Sequence, residues 1–507
     1  MLNRTFTKLL RVFAFIILFI IVIQFFYNIF LNITHNHIEI STLRSIWSKA
    51  AAILLSSVFV FLVAYFGVCH KKRIGVRLLH TINKINAGKG LVGILLLAFV
   101  IRLLWILFIP TIPSSDFGLM YKYAQSVQQG NFNGFHNYAY FARFAHDTVT
   151  VLYFSLFYNL SSNHLFIIKF FNVLFSTLTV FYMYKIVKQL YGKQYGLLAA
   201  ILLAIFPPFI MYNSQTMSEN LALPLFLISV YYFVLLIKDE LTSHWDKSRY
   251  LFFCGFALSI ANMFRAIGSI FLFAYIIYFF VYKGIKSSVV TMPVLIACYV
   301  IPMYLLSSLL IFNGITDTYL WHDKEPAWTS VLRGTNFAYQ GRWNPEDAKL
   351  PGIYNYNPDK VAQASKQIIK DRLYNASYQQ ISSLLLSKIG IEWASSDIGA
   401  YDWTLPAPSE SDSSIIKLVR KFEPVMRVTT ALFYLFLLLF SIFYLMENKD
   451  WQEEISFFLI LFCTYVLLLL ITEAQARYAF SLAWIFIIFA VGGFKGFGNP
   501  NRLNPKA

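Results

Sequence analysis

The chain has 507 residues, 58% of them hydrophobic, 18% aromatic and only 13% charged, with a formal net charge of +17. No water-soluble domain sustains that balance, and apolar runs of about 18 or more residues recur along it, so a chain embedded in a membrane is predicted. Nucleic acid is excluded as the reason for the positive charge, because Lys and Arg stand in short clusters between apolar runs, where they hold topology and touch anionic lipid.

The first apolar run, Leu9 to Phe30, has no small-residue cleavage site and reads as a retained span. Eleven more follow, giving spans at about 9–32, 47–69, 91–109, 165–184, 195–212, 219–237, 250–264, 266–282, 287–312, 424–446, 455–472 and 478–494. Counted from a cytoplasmic N-terminus, the even-numbered gaps hold the basic residues: Lys71 to Arg77, Lys185 to Lys193, Lys238 to Arg249, Lys283 and Lys286, Lys449, and the tail with Lys495 and Arg502. Both termini are therefore expected in the cytoplasm, with the odd-numbered gaps outside. The fold class is an all-α polytopic membrane protein of about 12 transmembrane helices.

The organisation follows from that count. Residues 1–90 form a two-helix N-terminal addition, and 91–312 a transmembrane core whose first outer loop covers 110–164. Within that loop, Phe117 to Gln129 reads as helical, and Val149 to Leu160 is an apolar piece too short to cross a core of about 30 Å, hence re-entrant or interfacial. Residues 313–423 are polar and tryptophan-bearing and are expected to form a small extracytoplasmic domain, helical around Pro358 to Ser387. Residues 424–507 supply the last spans and the cytoplasmic tail. Cys69, Cys254, Cys298 and Cys463 all fall in or beside apolar runs, so no disulfide framework is predicted.

Ionisable residues gather at the outer ends of the spans. Asp116 follows the third span in Pro113-Ser114-Ser115-Asp116, Glu219 opens the sixth, Arg265 lies between the seventh and eighth, and Glu473, Gln475, Arg477 and Tyr478 lie between the eleventh and twelfth. Charges at that depth are costly unless paired or facing a wet cavity. The arginines suit a lipid-linked phosphate, which they can bind by charge-assisted and bidentate hydrogen bonds, and a carboxylate can deprotonate an incoming hydroxyl. Taken singly, each has a plainer reading: Asp116 as a solvated loop acid, Arg265 and Arg477 as snorkelling anchors, Glu219 as a helix N-terminal acid. Arg102, inside the third span, reads as a structural partner. His146 and Asp147 are candidates, with Glu473, to hold an acceptor or a divalent metal; their plainer role is capping the helix that follows. Trp328, Trp343, Trp393 and Trp403 read either as sugar-stacking surfaces or as a small-domain core.

Ile101-Arg102-Leu103-Leu104 leading to Pro113-Ser114-Ser115-Asp116, Pro207-Pro208 with Ser218-Glu219, Phe264-Arg265-Ala266, and Glu473-Ala474-Gln475-Ala476-Arg477-Tyr478 carry a resemblance over roughly residues 91 to 494. The chain resembles glycosyltransferases of the GT-C superfold, the group of the protein O-mannosyltransferases and the lipid A aminoarabinose transferase. The resemblance implies Asp116 as catalytic base, Glu219 as the second acid and Arg477 at the donor phosphate; Arg265 and Tyr478 are read as donor-phosphate residues from their own place at the outer span ends. It implies transfer of a hexose or related sugar, with inversion, from a polyprenyl-phosphate donor to an acceptor outside the cell membrane: a cell-wall polymer, a glycolipid or a protein. An upstream donor-synthesising enzyme or a flippase would be a partner. Two departures stand out: Phe117 follows Asp116 where many relatives carry an adjacent acid, and His146-Asp147-Thr148 replaces a Pro-Pro-Leu segment. A composition rich in Phe, Ile, Asn and Lys resembles low-GC Gram-positive bacteria. A divalent metal would act here as a Lewis acid, but the sequence presents no specific ligand set for one. The competing classes are a polytopic transporter or lipid flippase, which would show symmetry between halves, and a surface-polysaccharide polymerase or ligase.

Overall fold

The computed structural model describes residues 2–35, 86–160, 162–238, 243–405, 414–447 and 452–497. Helix is the only regular structure among them, as a hydrocarbon solvent demands: it offers no partner to backbone N–H and C=O groups, so each span must satisfy its own. The principal helices are α1 (Leu2–His35), α2 (Ala87–Phe108), α3 (Ser115–Gln128), α4 (Thr148–Tyr158), α5 (His164–Tyr191), α6 (Lys193–Ile205), α7 (Glu219–Lys238) and α8 (His244–Phe264). They continue with α9 (Gly268–Tyr278), α10 (Ile285–Phe312), α11 (Trp328–Gly334), α12 (Pro358–Tyr374), α13 (Tyr378–Trp393), α14 (Ser414–Glu447), α15 (Glu453–Ile471) and α16 (Ile485–Phe497).

Seven of these are long and apolar enough to cross a membrane: α1, α2, α5, α7, α10, α14 and α15. An eighth arises if α6 and Pro207–Ser214, bent by 65°, are taken as one broken span. The chain is thus a multi-pass membrane protein, and among the described residues fewer helices meet that length and apolarity than the spans expected. The predicted span 47–69 lies outside the described residues. Three others are helical but fall short for visible reasons. α8 carries Asp246, Lys247 and Arg249 in its first turns. Gly268–Lys283 is too short, rising only about 24 Å. The predicted span 478–494 begins as a 3-10 turn over Ala476–Ser481, and its α-helix starts only at Ile485. The piece predicted as re-entrant forms the 11-residue α4.

Lipid tails are as apolar as leucine, so these helices are held by close packing and internal polar contacts instead of water exclusion. A Cβ on Gly255 of α8 would sit 2.6 Å from the Cβ of Cys298 on α10, and one on Gly493 of α16 would sit 2.5 Å from the carbonyl of Phe440 on α14. Both glycines let neighbouring backbones touch. α1 is part of the same body: Ile17, Leu18, Ile21 and Phe25 are buried in the main core, and Arg11 donates to the Leu445 carbonyl of α14 at 2.5 Å.

The segment 313–423 divides in two. Its first half builds a small core of Leu332, Leu350 and Ile369, around α11 and α12. Its second half returns to the bundle: Trp393, at the end of α13, is fully buried among Phe462, Tyr465 and Phe486. Trp328 and Trp343, at 41% and 59% exposure, are surface residues and not core.

The bend after α6 places the candidate site, and Arg102 stabilises it. Pro207 and Pro208 remove two backbone donors and force Phe206 into an extended conformation. The carbonyls at the end of α6 are thereby left without helical partners. Arg102, fully buried on α2, supplies them: Nη2 reaches Leu203 O at 3.2 Å, Nη1 reaches Ala204 O at 2.9 Å, and Nε reaches Ser176 Oγ at 2.7 Å. Its charge also suits the negative end of α6. Arg102→Met is therefore expected to destabilise the protein by about 3 kcal/mol through orphaned carbonyls, read as a lowered thermal midpoint in detergent. An unchanged midpoint would show that the bend does not depend on this side chain.

Candidate active site

The first connection sets Asp116. Leaving α2, the chain runs extended past Thr111, whose hydroxyl donates to Thr404 O at 2.6 Å and whose carbonyl accepts from Lys169 Nζ at 2.6 Å. Ser115 then adopts φ 51°, a left-handed value rare outside glycine. Gly118 closes the turn, since a Cβ there would lie 2.7 Å from Pro113 O. Asp116 emerges in the first turn of α3, where the helix dipole favours an anion. Its Oδ1 accepts from the Tyr140 hydroxyl at 2.8 Å and its Oδ2 lies 3.4 Å from Arg477 Nη2. Burial and the neighbouring carboxylate raise the pKa of Tyr140, so it remains a phenol that donates. The Asp116 side chain is nonetheless 42% exposed.

Arg477 is held in an aromatic cage. Its guanidinium carbon lies 4.6 Å from the centre of the Phe117 ring, 5.2 Å from Trp403 and 5.6 Å from Tyr478, and its Nε donates to Gln475 Oε1 at 2.6 Å. Flat rings stacked on a guanidinium stabilise its charge without using its donors. Burial alone would lower its pKa, but Tyr478, Glu219 and Asp116 more than reverse that and raise it. Phe117, the residue where many relatives were expected to place a second acid, is one wall of this cage.

The second carboxylate and arginine stand beside the first pair. Glu219 opens α7 with its side chain 1% exposed, 3.3 Å from Arg265 Nη2. It is reached through a buried polar stretch, Tyr212 to Asn220, whose carbonyls are satisfied by Asn172 and Asn220. The guanidinium carbon of Arg265 lies 5.6 Å from the centre of the Tyr478 ring. Glu473 pairs with Arg333 Nε at 2.5 Å and accepts from the Tyr478 hydroxyl at 3.5 Å. Arg333 also approaches Glu325 at 3.7 Å, and Glu325 in turn binds Arg143 at 2.9 Å.

His146 and Asp147 face the same assembly. His146 Nδ1 is 2.8 Å from Asp323 Oδ2 and its Nε2 is 3.9 Å from Asp147 Oδ1. Asp147 precedes α4 without making a capping hydrogen bond. Burial lowers the pKa of the imidazole, but Asp147 and Asp323 outweigh that and push it up to about 9. Burial raises Asp147, against the charges of His146 and Arg265. Among the described residues no group of three or more His, Cys, Asp or Glu side chains is arranged to hold a metal.

Six of the residues singled out in the sequence (Asp116, Glu219, Arg265, Glu473, Arg477 and Tyr478) are linked by ion pairs, hydrogen bonds and ring contacts. His146 pairs with Asp147 and Asp323; it and Asp147 feel the charge of Arg265, and Asp147 also that of Asp116. Those the sequence missed are Tyr140, Arg333 and Asp323, and Trp403, read as a sugar-stacking or small-domain core residue, is instead a wall of the arginine cage. Tyr140 had a signal, six residues before His146 in the same loop. Arg333 and Asp323 had none, since their partners lie 140 and 177 residues away.

A family model described as dolichyl-phosphate-mannose-protein mannosyltransferase matches residues 146–312. That stretch holds His146, Asp147, Glu219 and Arg265, but not Asp116, Glu473, Arg477 or Tyr478. No curated protein matches the chain. Among solved structures, the Archaeoglobus fulgidus oligosaccharyltransferase in the apo form is similar at 13% identity and a TM-score of 0.44, over 79% of this chain and 50% of that one. The archaeal oligosaccharyltransferase AglB of the same organism, in complex with an inhibitory peptide and a dolichol-phosphate, is similar at 12% identity and a TM-score of 0.43, over 80% and 50%. ArnT from Cupriavidus metallidurans, bound to undecaprenyl phosphate, is similar at 13% identity and a TM-score of 0.37, over 81% and 78%. The chain thus spans about half the length of the archaeal structures it matches.

The His146 clasp is pH-dependent. A folded pKa of about 9 lies above the ordinary value of about 6.5, so its stabilising contribution is full below about pH 6.5 and lost as pH rises through about 9. The difference in thermal midpoint between the wild type and His146→Gln is expected to be largest at the acid end and to shrink above about pH 9. A difference constant across that range would mean that the charge of His146 has no part in the clasp.

Proposed function

We propose that this protein is a membrane glycosyltransferase that moves a sugar from a polyprenyl-phosphate donor to an acceptor on the outer side of the cell membrane. The observation that carries the reading is the pairing of an exposed carboxylate with a caged arginine. Asp116 is 42% exposed and Glu219 1%, while both stand within 3.4 Å of an arginine. Only Asp116 is open to an incoming hydroxyl, so it acts as the base. Glu219 holds Arg265 and shares in the charge of the site. The match of residues 146–312 to the mannosyltransferase family model supports the same class.

The step balances without a separate general acid. The acceptor oxygen gives its proton to Asp116 and forms a bond to the anomeric carbon. The bond from that carbon to the phosphate oxygen breaks, and its electron pair leaves with the lipid phosphate. Arg265 and Arg477, both beside the Tyr478 ring, receive that anion through charge-assisted hydrogen bonds. A single displacement inverts the anomeric carbon. The acceptor would be a wall polymer, a glycolipid or a protein, and an upstream synthase or flippase would supply the donor. His146, Asp147 and Glu473 border the space where the acceptor enters.

The test is mass analysis of surface polymers and proteins from a deletion strain carrying the wild-type protein, Asp116→Asn or Arg477→Ala. A hexose-type mass is expected to vanish on deletion and return only with the wild type, since a positioned base contributes about 10²–10⁴-fold. In membranes, Arg477→Ala is expected to weaken donor use by roughly ten- to a hundred-fold, with partial rescue by Lys. Full restoration of the mass by Asp116→Asn would remove it as the base. Loss of an oligosaccharide from a pyrophosphate donor would indicate a polymerase or ligase instead.

The reading also needs the site outside. In a background without native cysteines, Gln379→Cys is expected to react with an impermeant thiol reagent on intact cells, and Ser248→Cys only after the membrane is opened. The reverse pattern would put the assembly in the cytoplasm, and the proposed acceptors could not reach it.

A further inference from the structure

The loop from Thr472 to Tyr478 brings Glu473, Arg477 and Tyr478 to the site, and its first residues are held by other parts of the chain. It begins where α15 ends, and the last carbonyls of a helix have no partner inside it. Those carbonyls are met by one side chain from a distant helix. Lys388 of α13 is fully buried, and its Nζ donates to Leu470 O at 2.8 Å, to Gly334 O at 3.2 Å and to Thr472 O. Three donors thus meet three acceptors, at the negative ends of two helices, α11 and α15.

The surrounding geometry admits little else. A Cβ on Gly334 would lie 2.5 Å from the carbonyl oxygens of Ile471 and Thr472. Gly341, with φ +77°, packs on Lys388 so closely that a Cβ would lie 3.0 Å from its Cδ. Just beyond this contact the loop is pinned again, by Glu473 N donating to Ser330 Oγ at 3.3 Å and Ala474 N to Gly341 O at 2.8 Å. One turn along α13, Glu392 is 1% exposed. Burial pulls the lysine pKa down and pushes the glutamate up, and each opposes the other's shift.

We propose that Lys388 is a positioning residue for the phosphate site: it fixes the loop 472–478 so that Arg477 stays in its cage, and thereby sets the affinity for the lipid phosphate. It touches no reacting atom. The inference rests on the proposed role of Arg477.

The variant Lys388→Met keeps the length and loses the donors. Should Glu392, left alone, prevent folding, Lys388→Met/Glu392→Gln keeps that interior neutral and carries the test. Two quantities are measured on the full-length protein in detergent: hydrogen exchange across 472–478, and the Kd for a polyprenyl phosphate without sugar. Exchange in the loop is expected to rise roughly tenfold or more while α15 stays protected, and the Kd to weaken by about 10- to 100-fold, as misplacement by about 1 Å does elsewhere. Unchanged loop exchange overturns the proposal. So does faster exchange with an unchanged Kd, provided Arg477→Ala weakens binding; a merely structural lysine would lower stability and leave the affinity of folded protein intact. Where Arg477→Ala also leaves the Kd unchanged, the phosphate reading has failed, and the clamp stands or falls on the exchange alone.

Discussion

Charge pairing at one end of an apolar bundle governs this molecule. Arg477 and Arg265, with side chains only 9% and 19% exposed, would be intolerable there unless anions came to them, and the anions come from distant parts of the chain. Asp116 arrives through the first connection, Glu219 through the start of α7, and Glu473 through the loop that also carries Arg477. The requirement to bring these together explains why the chain breaks α6 at Pro207, bends Ser115 into a left-handed conformation and ends α15 at Ile471. Each irregularity sits next to a charged residue.

The same constraint leaves the two carboxylates in different surroundings. Both lie beside an arginine, but Glu219 is sealed inside while Asp116 opens to solvent with Tyr140 holding one oxygen. A sealed acid holds a cation in place. An open one, oriented by a phenol and within reach of the same cation, is suited to meet a hydroxyl. The aromatic cage around Arg477 adds to this, since stacked rings hold the guanidinium and leave hydrogen-bond donors for an anion.

The segment between α10 and α14 serves the assembly as more than a cover. Through Asp323 and Glu325 it grips the first connection at His146 and Arg143. Through Arg333 it meets Glu473, and through α13 it enters the main core at Trp393. One segment thus links the connection that carries Asp116 to the loop that carries Arg477. A rigid relation between those two is what the proposed displacement would need.

Much of this was legible in the residues alone. Apolar runs of span length specified helices, because hydrocarbon leaves the backbone no other partner. Charges at the ends of those runs marked Asp116, Glu219, Arg265 and Arg477, because ions at that depth are expensive and so not idle. The shortness of Val149 to Leu160 matches the 11-residue α4. What the sequence did not contain was who pairs with whom. Arg477 reaches Asp116 across 361 positions and Arg333 reaches Glu473 across 140, and neither pairing leaves a local pattern. Among the described residues fewer helices are long and apolar enough to cross than there are apolar runs, because an apolar run records only how greasy a stretch is, whereas the sequence does not announce a turn such as Ala476–Ser481. Composition and local spacing settled the solvent and the class of structure; only the tertiary fold, which pairs charges across hundreds of residues, decided which carboxylate is open and which is sealed.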